Sequence, residues 1–181
     1  MKLEIISGGE FGVEQASLSS AFTTETLAHG YIRKGWMTSR GPCEKVKFLN
    51  VTELDTDKLR DIAQKCIDEC DGVLIFRSGE LSKIEENIKG LVGESKPVYE
   101  IDFQKPDDPR CVTTWALTQS IQKLYVTGRT DKEGLDIFFK KTFAFMTHVI
   151  KDLNGEFAHK ELDNKRKGTA PKVKTKSPDE K

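Results

Sequence analysis

Three glycines within five residues, Gly8, Gly9 and Gly12, stand where an apolar run gives way to a helix-forming segment in LEIISGGEFGVEQASLSSAF. Glycines at a strand-to-helix turn let the backbone take positive φ and come close to a ligand. The amides and the positive end of the following helix then attract phosphate or another oxyanion. Crowded packing alone asks for fewer glycines, so the turn reads as an anion-receiving loop. Glu10 inside it repels an anion unless it turns to solvent or holds a cation. Lys34 and Arg129, each just past an apolar run, suit an anionic ligand and equally suit an ordinary surface loop. Metal and acyl chemistry find no support. His29, His148 and His159 share no ligand spacing with a third group, so no metal site is expected. Cys66 and Cys70 lie one helical turn apart but continue an apolar stripe, as buried thiols do, and no GxSxG elbow is present.

These residues need a scaffold, and the apolar pattern supplies one. Short runs rich in β-branched and aromatic residues, Leu3 to Ser7, His29 to Ile32, Val73 to Phe76, Val98 to Ile101 and Leu124 to Thr127, alternate with segments of helical period. Leu59, Ile62, Ala63, Cys66, Ile67 and Cys70 form one helical stripe. A second, wider stripe runs from about Gly134 through Leu135, Phe138, Phe139, Phe143, Met146, Val149, Ile150 and Leu153, and its width suits packing or a subunit interface. Strands alternating with helices imply a three-layer, Rossmann-like α/β fold: a mostly parallel sheet of about five or more strands with helices on both faces.

Composition narrows the class. Lys plus Arg and Asp plus Glu both number 29 in 181 residues, so no overall field draws the chain onto nucleic acid or an anionic membrane. MKLEIISGG is too short for a signal peptide or a membrane span, and with four cysteines and no CxxC the expectation is a cytoplasmic protein with free thiols. Residues 1–154 read as one domain. Residues 155–181 read as a basic tail without fixed structure, holding eight Lys or Arg against four Asp or Glu from Lys160 onward. KRKGTAPKVKTK also fits a nuclear address or a polyanion-binding segment, although a solvated end is the plainer reading.

The motifs, in order, resemble the molybdenum-carrier protein family, whose members open with a strand, GGQTGxD and a helix. Here that turn is GGEFGVE. The likeness continues through HGYIRKGW, RGPCEKVKFLNVTE, DECDGVLIFRSGELS, KPVYEIDF and LYVTGR, most of the chain to about Ile150. The nucleotide-binding domains of cytokinin-activating phosphoribohydrolases are relatives of that family. The resemblance implies four ligand-facing loops: Gly8, Gly9, Glu10 and Gly12 in the first, Lys34 and Gly35 in the second, Ser78 and Gly79 in the third, Gly128 and Arg129 in the fourth. It also implies molybdenum cofactor (molybdopterin) or a nucleotide as the bound anionic small molecule, and assembly as a homo-oligomer, a dimer or tetramer.

Three functions follow for comparison. The first is a carrier holding a phosphate-bearing molecule at the strand C-termini without transforming it. The second is a nucleotide N-glycosidase with Glu80 or Glu85 as its carboxylate, although Ser82-x-x-Glu85 is also a capping-box pattern and SGELSKIEENI lacks the relatives' second glycine pair. The third is a non-catalytic oligomeric scaffold.

Overall fold

The computed structural model describes residues 3–132 and 134–168, with side chains as far as residue 155. Its order is β1 (Glu4–Gly8), α1 (Val13–Thr23), β2 (Leu27–Ile32), a hairpin of β3 (Met37–Thr38) and β4 (Gly41–Pro42), β5 (Val51–Glu53), α2 (Leu59–Glu69), β6 (Gly72–Arg77), α3 (Lys83–Val92), β7 (Val98–Asp102), α4 (Pro109–Thr118), β8 (Lys123–Gly128) and α5 (Ile137–Gly168). Six strands form one sheet in the order β5-β2-β1-β8-β6-β7, every pair parallel. The fold is therefore the expected Rossmann-like α/β arrangement.

Alternation along the strands builds two cores. Ile5, Leu74, Phe76, Leu124 and Val126 point to the face covered by α1, α4 and α5, where Met146, Val149, Ile150 and Leu153 meet them. Their neighbours Ile6, Val73, Ile75 and Tyr125 point to the other face, against Ala63, Cys66 and Ile67 of α2 and Ile88 and Val92 of α3. Each such side chain withdrawn from water contributes roughly 1.5–3 kcal/mol before entropy is charged against it, so both faces of the sheet need their helices. Cys66 and Cys70 are buried free thiols, as their stripe implied, and burial pushes the Cys66 thiol well up.

Two boundaries differ from the sequence reading. The last helix starts at Ile137, later than Gly134, because the Asp131 carboxylate reaches across to accept from the amides of Phe138 and Phe139 at 2.8 Å each. At its other end α5 runs on through Gly155 to Gly168, so the expected domain edge at residue 154 falls inside a helix. The segment GEFAHKELDNKRK has no proline and is rich in straight-chain helix formers, which keep a helix going without an apolar face. The rest of the expected tail, 169–181, lies outside the described residues. Among the described residues no helix is long and apolar enough to cross a membrane.

The topology opens a crevice at one end of the sheet. From β1 the chain moves outward to β2 and then β5; from β6 it moves the opposite way to β7. Between these divergent halves the crevice opens above the carboxyl ends of β1, β8 and β6, where open α/β sheets receive ligands.

Candidate functional site

A cavity of about 990 Å³ occupies that crevice. Gly9, Glu10 and Glu14 line it from the first turn, Tyr31, Ile32 and Arg33 from the end of β2, Ser78 from the loop after β6, and Tyr125, Thr127, Gly128 and Arg129 from the end of β8. One wall is apolar: Leu59, Ile62 and Ala63 of α2 face Ile84, Ile88 and Leu91 of α3. Arg60 and Lys132 are exposed at its rim.

The glycine turn is built for close approach, but what approaches is the protein itself. A Cβ on Gly8 would fall 2.1 Å from Oε2 of Glu14, and one on Gly12 (φ 99°) 2.6 Å from the carbonyl oxygen of Arg129. Glu14 thus swings back from the first turn of α1 over Gly8. Its Oε2 accepts from the Glu10 amide at 3.0 Å and its Oε1 from the Thr127 hydroxyl at 2.8 Å. The Val13 amide donates to the Arg129 carbonyl at 3.1 Å. A carboxylate from two residues past Gly12 therefore already holds one amide of the turn, that of Glu10. Burial, reinforced by the nearby Glu10 charge, raises the Glu14 carboxyl to about 7.

Glu10 holds a cation, one of the two expected ways for an acid in this turn to avoid repelling an anion. Its Oε1 accepts from Arg33 Nη2 at 2.8 Å and its Oε2 from the Ser39 amide at 2.7 Å, which pins the β3–β4 hairpin beside the cavity mouth. The Arg40 guanidinium on that hairpin lies 4.4 Å from the centre of the Phe11 ring and donates to the carbonyls of Asp131, Lys132 and Leu135. Phe11 therefore supports the hairpin and leaves the cavity open.

The other expected positions divide. Ser78, Gly128 and Arg129 reach the cavity with Gly9 and Glu10. Arg129 is also a brace, since its Nε lies 3.2 Å from Oε1 of the buried Glu85 and its Nη2 donates to the carbonyls of Ser78 and Glu80. Glu85 sits in a capping box: its Oε2 accepts from the Ser82 amide at 2.7 Å, and the Glu85 amide donates to Ser82 Oγ at 3.4 Å. That carboxylate is committed to the start of α3. Glu80 is exposed and outside the cavity lining, as is Lys34, whose ammonium pairs with Asp55 at 2.7 Å. The Gly35 amide donates to Glu53 at 2.5 Å and the Gly79 amide to Asp102 at 3.0 Å, so both follow the strand ends away from the crevice. Among the described residues no group of three or more His, Cys, Asp or Glu could hold a metal ion.

Sequence reasoning passed over Glu14, Arg33, Tyr125 and Thr127. For Glu14 a signal existed, because it stands at the Asp position of GGQTGxD. Tyr125 and Thr127 lie in β8, where the cavity side is set by register and not by motif, and Arg33 stands just past the end of β2.

Residues 5–150 match the model of the circularly permutated YpsA SLOG family. The chain belongs to that family. A solved structure of a protein named putative molybdenum carrier protein, from Syntrophus aciditrophicus SB, is similar with a TM-score of 0.71 over 82% of this chain and 94% of that one. Their 23% sequence identity makes this a likeness of fold. None of the curated proteins matches the chain. The family and the architecture read from the strand pattern agree: this is a Rossmann-like α/β member of the SLOG family.

Proposed function

We propose that this SLOG protein holds a small molecule with a planar ring and an anionic substituent, nucleotide-like or pterin-bearing, in the cavity above β1, β8 and β6. The observation that supports this reading is the cavity itself. It lies at the topological switch point, is roomy enough for a nucleotide-sized ligand, and joins an apolar slot to a polar floor and a basic rim. The ring fits between α2 and α3, and the anionic substituent extends toward Arg60 and Lys132. The motif resemblance adds molybdopterin, and the name of the similar solved structure adds molybdenum, to the ligands worth trying. Of the carboxylates named for the glycosidase alternative, Glu85 caps a helix and Glu80 is outside the cavity lining; the glutamates that line it are Glu10, Glu14 and Glu86.

Thermal unfolding with adenine and guanine mononucleotides, a pterin and molybdate tests the proposal. A true ligand at a hundred times its dissociation constant adds ~2.7 kcal/mol, a rise of roughly 5–10 °C for a chain of this size. If the midpoint stays put with all of them at millimolar concentration, the binding reading fails and the scaffold reading takes its place.

A further inference from the structure

The cavity floor narrows the ligand class, and this inference rests on the binding reading above. Glu14 is 9% exposed yet lines the cavity. Its two oxygens accept one hydrogen bond each, from the Glu10 amide and the Thr127 hydroxyl, while a carboxylate offers about four lone-pair directions. Each oxygen therefore keeps capacity for one more donor, and the two sit side by side on one planar carboxylate. The partner that satisfies two such acceptors is a pair of adjacent N–H donors on a rigid plane. The walls beside it, Ile62 and Ala63 of α2, Ile88 and Leu91 of α3, offer such a plane an apolar slot.

We propose that Glu14 reads the donor–donor edge of a 2-amino-4-oxo heterocycle, the edge shared by guanine and pterins, with the ring lying between α2 and α3. Adenine presents a donor beside an acceptor and matches a carboxylate on one side only. Hypoxanthine keeps the ring N–H but lacks the amino group, so it loses one charge-assisted bond while keeping the same shape.

Ionisation supplies a second signature. Glu10 of the same turn and Arg33 just past β2 act on Glu14 with opposite signs, and Cys66 of α2 and Tyr125 of β8 are the titratable groups packed on its other side. Burial keeps both of the latter protonated well past neutrality, while the Glu14 carboxyl ionises at about 7, inside the range from pH 5.5 to 8.5. A donor–donor edge needs the ionised form. Preference for guanine over hypoxanthine should therefore grow with pH, and comparing the two monophosphates cancels the titration of their phosphates.

The measurement is the affinity of the full chain for GMP, IMP, AMP and 6-hydroxymethylpterin at pH 5.5 and 8.5. GMP or the pterin should bind, and whichever is tighter identifies the source of the shared edge. GMP should exceed IMP by on the order of tenfold or more at pH 8.5, the worth of one hydrogen bond to a charged group, and by less at pH 5.5. Glu14→Gln should abolish the GMP-over-IMP preference and its pH dependence. Equal affinity for GMP, IMP and AMP in the unaltered protein overturns the assigned edge while leaving the binding reading intact. No binding of any of the four, nor of molybdate, overturns both. The wild-type panel needs no variant, so a folding defect in Glu14→Gln leaves the proposal testable.

Discussion

Alanine at position 128 should unfold this protein more readily than a methyl group added at any other glycine of the sheet. Gly128 closes β8 opposite Phe76 of β6, at the centre of the sheet, with φ 149°. A Cβ there would lie 2.1 Å from the Phe76 carbonyl oxygen and 2.9 Å from that residue's carbonyl carbon and amide nitrogen. These are main-chain atoms of a paired strand, and the same oxygen accepts the Arg129 amide at 3.0 Å. Relief requires β8 to part from β6, which would also move the Arg129 loop off Gly12. The expected cost is about 3 kcal/mol or more, a drop in the unfolding midpoint on the order of 10 °C. Gly90→Ala serves as the comparison, because nothing lies within 4 Å of its added Cβ inside α3. Helix propensity there predicts a gain of up to ~1 kcal/mol. Denaturant unfolding of both variants checks the pair, and equal midpoints would show that β8 is not held against β6 in this way.

Stability should fall by roughly 3 kcal/mol as pH rises from about 4.5 to above 7, through Glu14 alone. In the unfolded chain this carboxyl ionises near its ordinary value of 4.5, but in the fold it does so at about 7. Between those values the native protein retains a proton that the unfolded chain has released. The stability this group contributes is therefore fully present below pH 4.5 and is lost as pH climbs through 7. Glu14→Gln removes that slope and, with its carbonyl still able to accept from the Glu10 amide, should exceed the parent at pH 8 by on the order of 2 kcal/mol. Urea unfolding of both proteins at pH 5 and pH 8 reads the difference directly. Parallel profiles would mean that Glu14 is already ionised in the fold. A ligand that requires the carboxylate would give back part of this loss at neutral pH, which ties the energetics of the floor to its recognition role.

Much of the architecture is legible in the sequence because buried parallel strands need continuous apolar runs, and five of them mark β1, β2, β6, β7 and β8. The short edge strand Val51–Glu53 escapes, since two of its three residues are exposed and it carries no run to read. α4 escapes as well: its buried face is Val112, Thr113 and Ala116, too small and too polar to form a stripe. The stripe from Leu59 to Cys70 marks α2 to within a residue. The site is legible only by location. Glycines mark the turn, yet the glutamate that fills the space above Gly8 is fixed by how α1 meets β8, through the Thr127 hydroxyl 113 positions away. In the same way, Lys34 follows β2 in sequence but is carried outward when its amide donates to the Thr56 carbonyl at 2.8 Å. Local pattern finds the loops, and long-range contacts decide which side chains face inward.

A crystal structure of the protein grown with whichever of GMP or 6-hydroxymethylpterin raises its unfolding midpoint further bears most directly on what the cavity is for. The ring should lie between Ile62 and Ile88, its amino and ring N–H groups about 3 Å from the Glu14 oxygens. A ring bound away from α2 and α3, or an open cavity at saturating ligand, would contradict the assignment.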